Sequence, residues 1–123
     1  VPAAQTITMQ LMRHPEVSGP RLFIATSGVA LPLPPLEEVL IGRYDQLQPR
    51  VPEIDLDPHG GGSAGVSRQH ARLVRQPDGW RIEDLRSTNG TYLNEVRLVP
   101  GHPIRIRAGD LLRLGQMTLI FEE

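Results

Sequence analysis

Residues 71–84 read Ala-Arg-Leu-Val-Arg-Gln-Pro-Asp-Gly-Trp-Arg-Ile-Glu-Asp. Two short apolar segments, Ala71–Arg75 and Trp80–Asp84, flank the turn signal Pro77-Asp78-Gly79. In the second segment Trp80 and Ile82 alternate with Arg81 and Glu83, a period of two that buries one face of a strand and wets the other. The stretch reads as strand, turn, strand. Trp80 falls on the buried side.

The same pattern extends in both directions. Apolar segments recur about every ten residues at Leu22–Thr26, Val29–Leu33, Glu37–Ile41, Ile104–Arg107, Asp110–Leu114 and Met117–Phe121. Ile104 and Ile106 alternate with Arg105 and Arg107, which marks the two arginines as a wet strand face. Ser27-Gly28, Pro34-Pro35, Asn89-Gly90, Gly101 and Gly109 supply further turns. The one window with helical spacing, Leu36–Leu40, is too short and follows prolines. The expectation is an all-β sandwich of about a hundred residues.

Composition agrees. A chain of 123 residues fits one domain, and 39% hydrophobic with 22% charged residues is a globular balance. A net charge of −1 lacks the basic excess of a nucleic-acid or membrane-surface binder. There is no cysteine, which excludes disulfides, thiolate nucleophiles and cysteine-ligated zinc. All 13 basic residues are Arg and none is Lys. That removes the phosphate-loop lysine, Schiff-base chemistry and Ser-Lys hydrolysis, and leaves guanidinium forks, hydroxyls and backbone amides to hold any anion.

Two regions fit the strand pattern less well. Residues 1–20 form an N-terminal extension or linker before a domain at 21–123. Within the extension Ile7, Met9 and Leu11 alternate with polar residues, as an extra strand over Thr6–Leu11 would. Its partner is open: this domain, the rest of a parent protein, or another copy. A start at Val1 rather than Met is what a piece excised from a longer protein would show. The second region, Tyr44 to Val66, is polar and rich in Pro and Gly, with Gly60-Gly61-Gly62 at its tip. It reads as a long, strandless surface loop, a common place for function.

Three short motifs stand at strand ends. They are Gly42-Arg43, Ser67-Arg68-Gln69-His70, and Ser87-Thr88-Asn89-Gly90-Thr91 with Leu93-Asn94 following. Strand ends of a sandwich gather at one edge, so the three loops can converge. Arg43 and Arg68 offer donor forks, Ser67 and Thr88 hydroxyls, and Asn89 a donor and an acceptor. Such a set suits a doubly charged tetrahedral phosphate together with peptide backbone.

Other readings of these residues are weaker. Ser67 and His70 invite a nucleophile and base, with Asp84 or Asp110 as a third member. No glycine-flanked serine elbow is present, however, and three residues at a strand entry need not face each other. His14, His59, His70 and His102 have no metal-ligand spacing. Residues 60–65 are no phosphate loop, because no lysine follows them. We expect no catalytic residues, no metal and no cofactor.

The ordered set Gly42-Arg43, Ser67-Arg68-Gln69-His70-Ala71, Asp84 through Thr91, Leu93-Asn94, Gly109-Asp110 and Leu114-Gly115 resembles the forkhead-associated (FHA) domain from about Arg21 to Phe121. The resemblance implies an eleven-stranded β-sandwich of two antiparallel sheets, with binding loops at one edge. It would recognise phosphothreonine in partner proteins without catalysis, downstream of a Ser/Thr kinase. Carried over by position, Arg43 and Ser67 would bind phosphate oxygens, with Arg68 as a second basic contact. Thr88 would add a contact to phosphate or peptide, and Asn89 would hold the peptide main chain. His70 would fix the serine loop, and Gly42, Gly90 and Asn94 would be architectural. The chain departs from the family in its long glycine-rich stretch between Arg43 and Ser67, so no selectivity for neighbouring peptide residues carries over. A phosphate-independent assembly role, through a β-face or the Ile7–Leu11 segment, is the alternative. Oligomeric state stays open, and a chain without cysteine or signal sequence fits the cytoplasm.

Overall fold

The computed structural model describes residues 18–123 and contains eleven strands in two sheets. The strands are β1 Arg21–Ile24, β2 Ala30–Pro32, β3 Glu38–Gly42, β4 Ile54–Asp55, β5 Gln69–Gln76 and β6 Gly79–Asp84. They continue as β7 Thr91–Leu93, β8 Val96–Arg97, β9 Ile104–Ile106, β10 Leu111–Leu114 and β11 Met117–Glu122. One sheet runs β2-β1-β11-β10-β7-β8 and the other β4-β3-β5-β6-β9. The Thr6–Leu11 segment lies outside the described residues.

Each of the eight apolar segments overlaps a strand. The Ala71–Asp84 stretch is the β5–β6 hairpin, with Ala71 opposite Asp84 and Gln76 opposite Gly79. Its inner residues Leu73, Trp80 and Ile82 meet Leu22, Ile24, Leu112, Leu114, Leu119 and Phe121 from the other sheet. Trp80 packs edge-on against Phe121, ring centres 6.3 Å apart. Side chains that alternate inward on both sheets fill one core between the layers.

Three expectations need correction. The sheets are not wholly antiparallel, because β4 runs parallel to β3, with Ile41 beside Ile54. A chain that leaves β3 must return alongside it to seal the core edge, and Ile54 and Leu56 do so, only 4% and 0% exposed. The Tyr44–Val66 stretch is therefore not strandless, and its glycine triplet is no free tip. Gly61 donates to the Leu56 carbonyl and Val66 donates to the Gly61 carbonyl, closing a tight knot around a 3-10 turn at Asp57–His59. A Cβ at Gly61 would stand 2.7 Å from the Leu56 carbonyl oxygen. Finally, Ile106 is buried but Ile104 is 42% exposed, because it sits at the rim of edge strand β9.

Register gathers the loops. Gly42 pairs with Gln69, Ala71 with Asp84, and Leu114 with Thr91. The end of β3, the start of β5, the end of β6, the start of β7 and the β10–β11 turn thus share one end of the sandwich.

Candidate functional site

At that end Arg43, Gly62, Gly65, Val66, Ser67, Arg68, Thr88 and Asn89 line one cleft of about 330 Å³. All five residues read from sequence as ligand contacts are among them. The approach of the first two loops demands a glycine at position 42. A Cβ there would fall 1.9 Å from the Arg68 carbonyl oxygen. With only hydrogen in that space, the Arg43 amide donates to the same carbonyl at 3.0 Å. A bulge between Ile41 and Gly42 bends β3 at this point.

The Arg43 side chain crosses to the second loop, where Nε donates to the Val66 carbonyl at 2.5 Å. One terminal nitrogen lies 3.8 Å from Asp57, and the side chain is half-buried. Arg68 is more exposed and donates to Asp45 Oδ2 at 2.8 Å. The Arg68 guanidinium, with the Leu47 amide, holds the Asp45 carboxyl below its ordinary range. Both cations are thus oriented by exposed carboxylates that a more highly charged anion can displace, since solvent screens such pairs.

His70 holds the loops together. It is wholly buried, its Nδ1 accepts the Ser67 amide at 2.9 Å, and Nε2 lies 3.0 Å from the Gly90 carbonyl. The two contacts require the neutral ring with its proton on Nε2. Burial lowers the pKa below the usual value, against weaker opposing pulls from the Gly90 carbonyl and Asp84. Both ring nitrogens are spent on main chain, so His70 is not a base for Ser67 Oγ. That hydroxyl instead accepts the Thr88 amide at 3.2 Å. Asn89 Nδ2 donates to the Gly65 carbonyl at 3.0 Å, and among the described residues its Oδ1 has no partner.

Sequence reasoning misses Asp84 as a support of the loop. It is 2% exposed, and its carboxylate accepts Ser87 Oγ at 2.5 Å, Thr91 Oγ1 at 2.6 Å and the Ser87 amide at 3.3 Å. Ser87 Oγ in turn accepts the Gly90 amide. Asp55 plays the same part in the first loop, accepting the amides of Tyr44 and Asp57. The available signal was an Asp at a strand end followed within three to seven residues by hydroxyls. Asn94 stands apart from the cleft. It closes the far end of β7, bonded to Asp110 and to the Leu111 amide. Among the described residues no group of three His, Asp or Glu is arranged to hold a metal.

A rigid sandwich thus presents two oriented arginines, two hydroxyls and an amide in one loop-built cleft. The sequence profile of the FHA domain matches residues 39–115, and the chain belongs to that family. It is 38% identical over 101 residues to protein FraH of Nostoc sp., covering 81% of this chain. The chain spans only 34% of FraH. The solution structure of an FHA domain from Arabidopsis thaliana superposes with a TM-score of 0.68 at 30% identity, covering 84% of this chain and 83% of the other. An FHA domain structure from work on phosphothreonine-dependent FHA interactions superposes at 0.67 with 25% identity, covering 86% and 97%. FHA domains are phosphopeptide-binding modules without catalytic activity of their own.

Proposed function

We propose that this chain is a phosphothreonine-dependent protein–protein interaction module that recruits partners phosphorylated by Ser/Thr kinases and catalyses nothing itself. The reading is carried by the convergence of Arg43, Ser67, Arg68, Thr88 and Asn89 on one cleft. Phosphate oxygens take the Arg43 and Arg68 forks and the Ser67 hydroxyl. Thr88 adds its hydroxyl, and Asn89 offers Oδ1 to a peptide amide. Charge-assisted hydrogen bonds contribute roughly 1.5–3 kcal/mol each. Reversible signalling needs only micromolar binding, about 8 kcal/mol. Beyond Asn89 a second hollow of about 390 Å³, lined by Ser63, Ala64, Arg113 and Gln116, gives the peptide room to continue.

Calorimetric titration of matched phosphothreonine and unphosphorylated peptides from an oriented library tests the proposal. Binding should require the phosphate. Arg43→Ala should weaken it by about 1.5–3 kcal/mol, roughly ten- to hundredfold. Arg68→Lys keeps the charge but loses the planar fork, and should cost a few-fold. Equal affinity for both peptides would sink the reading.

A further inference from the structure

Three arginines around the cleft are each tied to a carboxylate. Arg43 lies 3.8 Å from Asp57, Arg68 2.8 Å from Asp45 and Arg113 3.1 Å from Glu95. Arg97 on β8 is seated as closely but has no such partner. Its guanidinium lies against Gly90, where a Cβ would stand 3.0 Å from Nε, 3.1 Å from Cζ and 3.2 Å from Nη2. Near-equal distances to three atoms of the group mean that its plane lies flat over the glycine. Any other residue would fill that space.

Sheet register holds the group there. Arg97 pairs with Tyr92, and Tyr92 with Arg113, so the three side chains share the outer face of the six-stranded sheet. The Arg97 and Arg113 guanidiniums lie 5.8 and 3.8 Å from the centre of the Tyr92 ring. Arg113 spends its donors inside the protein, on both Glu95 carboxylate oxygens and the Gly115 carbonyl. Arg97 is exposed and makes no ion pair among the described residues. Arg86 is a useful contrast. It is exposed and also lacks an ion pair, but it lines a separate hollow with Glu83 and Asp84, where acidic neighbours already set the field.

Gly90 follows Asn89 directly, one Cα step of about 3.8 Å. Arg97 therefore stands beside the residue proposed to hold the peptide main chain. It is not among the residues that line the phosphate cleft, so what it meets is peptide beyond the phosphate. We propose that Arg97 is a specificity residue that pairs with a carboxylate of the partner, an Asp or Glu flanking the phosphothreonine. The inference rests on the phosphothreonine reading and adds to it the chemical class of a neighbouring residue. A guanidinium fork matches a carboxylate in two parallel hydrogen bonds. Gly90 and Tyr92 already orient this fork, so little side-chain freedom is lost on binding. Unlike Arg43, Arg68 and Arg113, it has no internal carboxylate to shed first.

An oriented phosphothreonine peptide library should select Asp or Glu at one flanking position. Calorimetry with a matched pair of peptides, Asp or Asn at that position, should show the Asp peptide about three- to fivefold tighter, as one well-oriented exposed ion pair gives. Arg97→Gln should bring that ratio to one and keep the affinity for the Asn peptide within twofold, which also shows that the variant folds. Arg86→Gln removes the same charge from the same end of the domain and should leave the ratio intact. No acidic preference, or one that survives Arg97→Gln, overturns the proposal while the phosphothreonine reading stands. An equal loss in Arg86→Gln would assign the preference to net charge, and also overturns it. Absence of any phosphate-dependent binding would sink the underlying reading and this one with it.

Discussion

The two loops that frame the cleft each rest on a carboxylate, Asp55 or Asp84, and differ in what else holds them. The stretch from Arg43 to Val66 is held by main chain bonded to main chain and by the apolar anchors Ile54, Leu56 and Val66. The stretch from Leu85 to Gly90 is six residues long and carries no buried apolar anchor. Its own post is the Asp84 carboxylate beneath it, and its further ties are polar bonds to His70, Ser67 and Gly65. A long loop can turn back and bury side chains of its own. A short one cannot, and must borrow a polar post from the strand it leaves.

The short loop should accordingly break at a single residue. Asp84→Ala removes the acceptor of three donors, two of them side-chain hydroxyls with little access to water. Buried donors left unpaired cost about 1–3 kcal/mol each. We expect a loss of about 3 kcal/mol or more in urea unfolding, with phosphopeptide affinity falling alongside. Loss of affinity at unchanged stability would show instead that Asp84 acts on the ligand.

The long loop should break only where its backbone is packed, and the glycine triplet separates packing from mobility. A Cβ at Gly61 meets the Leu56 carbonyl carbon and oxygen within 3.0 Å. At Gly62 the nearest atom is the mobile end of Arg43 at 3.7 Å. Gly61→Ala should cost about 1–3 kcal/mol and Gly62→Ala less than about 0.5 kcal/mol. Equal effects at both positions would mean the loop is the free tip its composition suggests.

That same pair of loops marks how far the sequence could be read. Eight of the eleven strands and the motifs that hold the five cleft residues are legible, because alternation and turn chemistry are local signals. Strands β4 and β8 are two residues long, too short for a period to register, and β7 follows directly on the Ser87–Gly90 turn motif that hides it. Gly60-Gly61-Gly62 looked flexible for the same reason it is fixed, since glycine permits both open turns and close approach, and only the Leu56 carbonyl decides between them. Asp84 was visible only as one carboxylate among several. Its role depends on a hydroxyl, an amide and a second hydroxyl arriving from a loop that folds back over it. The burial of Phe23, 0% exposed yet outside the core cluster, was not legible at all, because alternation says which side of a strand points outward and not how deeply it is buried.

The smallest effect concerns the clamp between the loops. His70 takes the Ser67 amide from the long loop and gives its proton to the Gly90 carbonyl of the short one, so only the neutral ring serves both. Burial depresses its folded pKa below the unfolded value near 6.5. As pH falls below that value the unfolded chain binds a proton that the folded chain refuses. Stability from this residue is therefore whole above about pH 6.5 and drains away until the folded pKa is reached, at no more than ~1.4 kcal/mol per pH unit for one proton. Glu122 works against this trend, because its raised folded pKa lets the native state gain a proton first as the solution is acidified. Comparing urea midpoints of the parent and His70→Gln between pH 7.5 and 5.5 cancels the Glu122 contribution. The parent should be the more stable at pH 7.5, and its advantage should shrink toward pH 5.5. A gap that stays constant would show that the ring is not titrating against folding, and that the two loops are joined by packing rather than by the neutral imidazole.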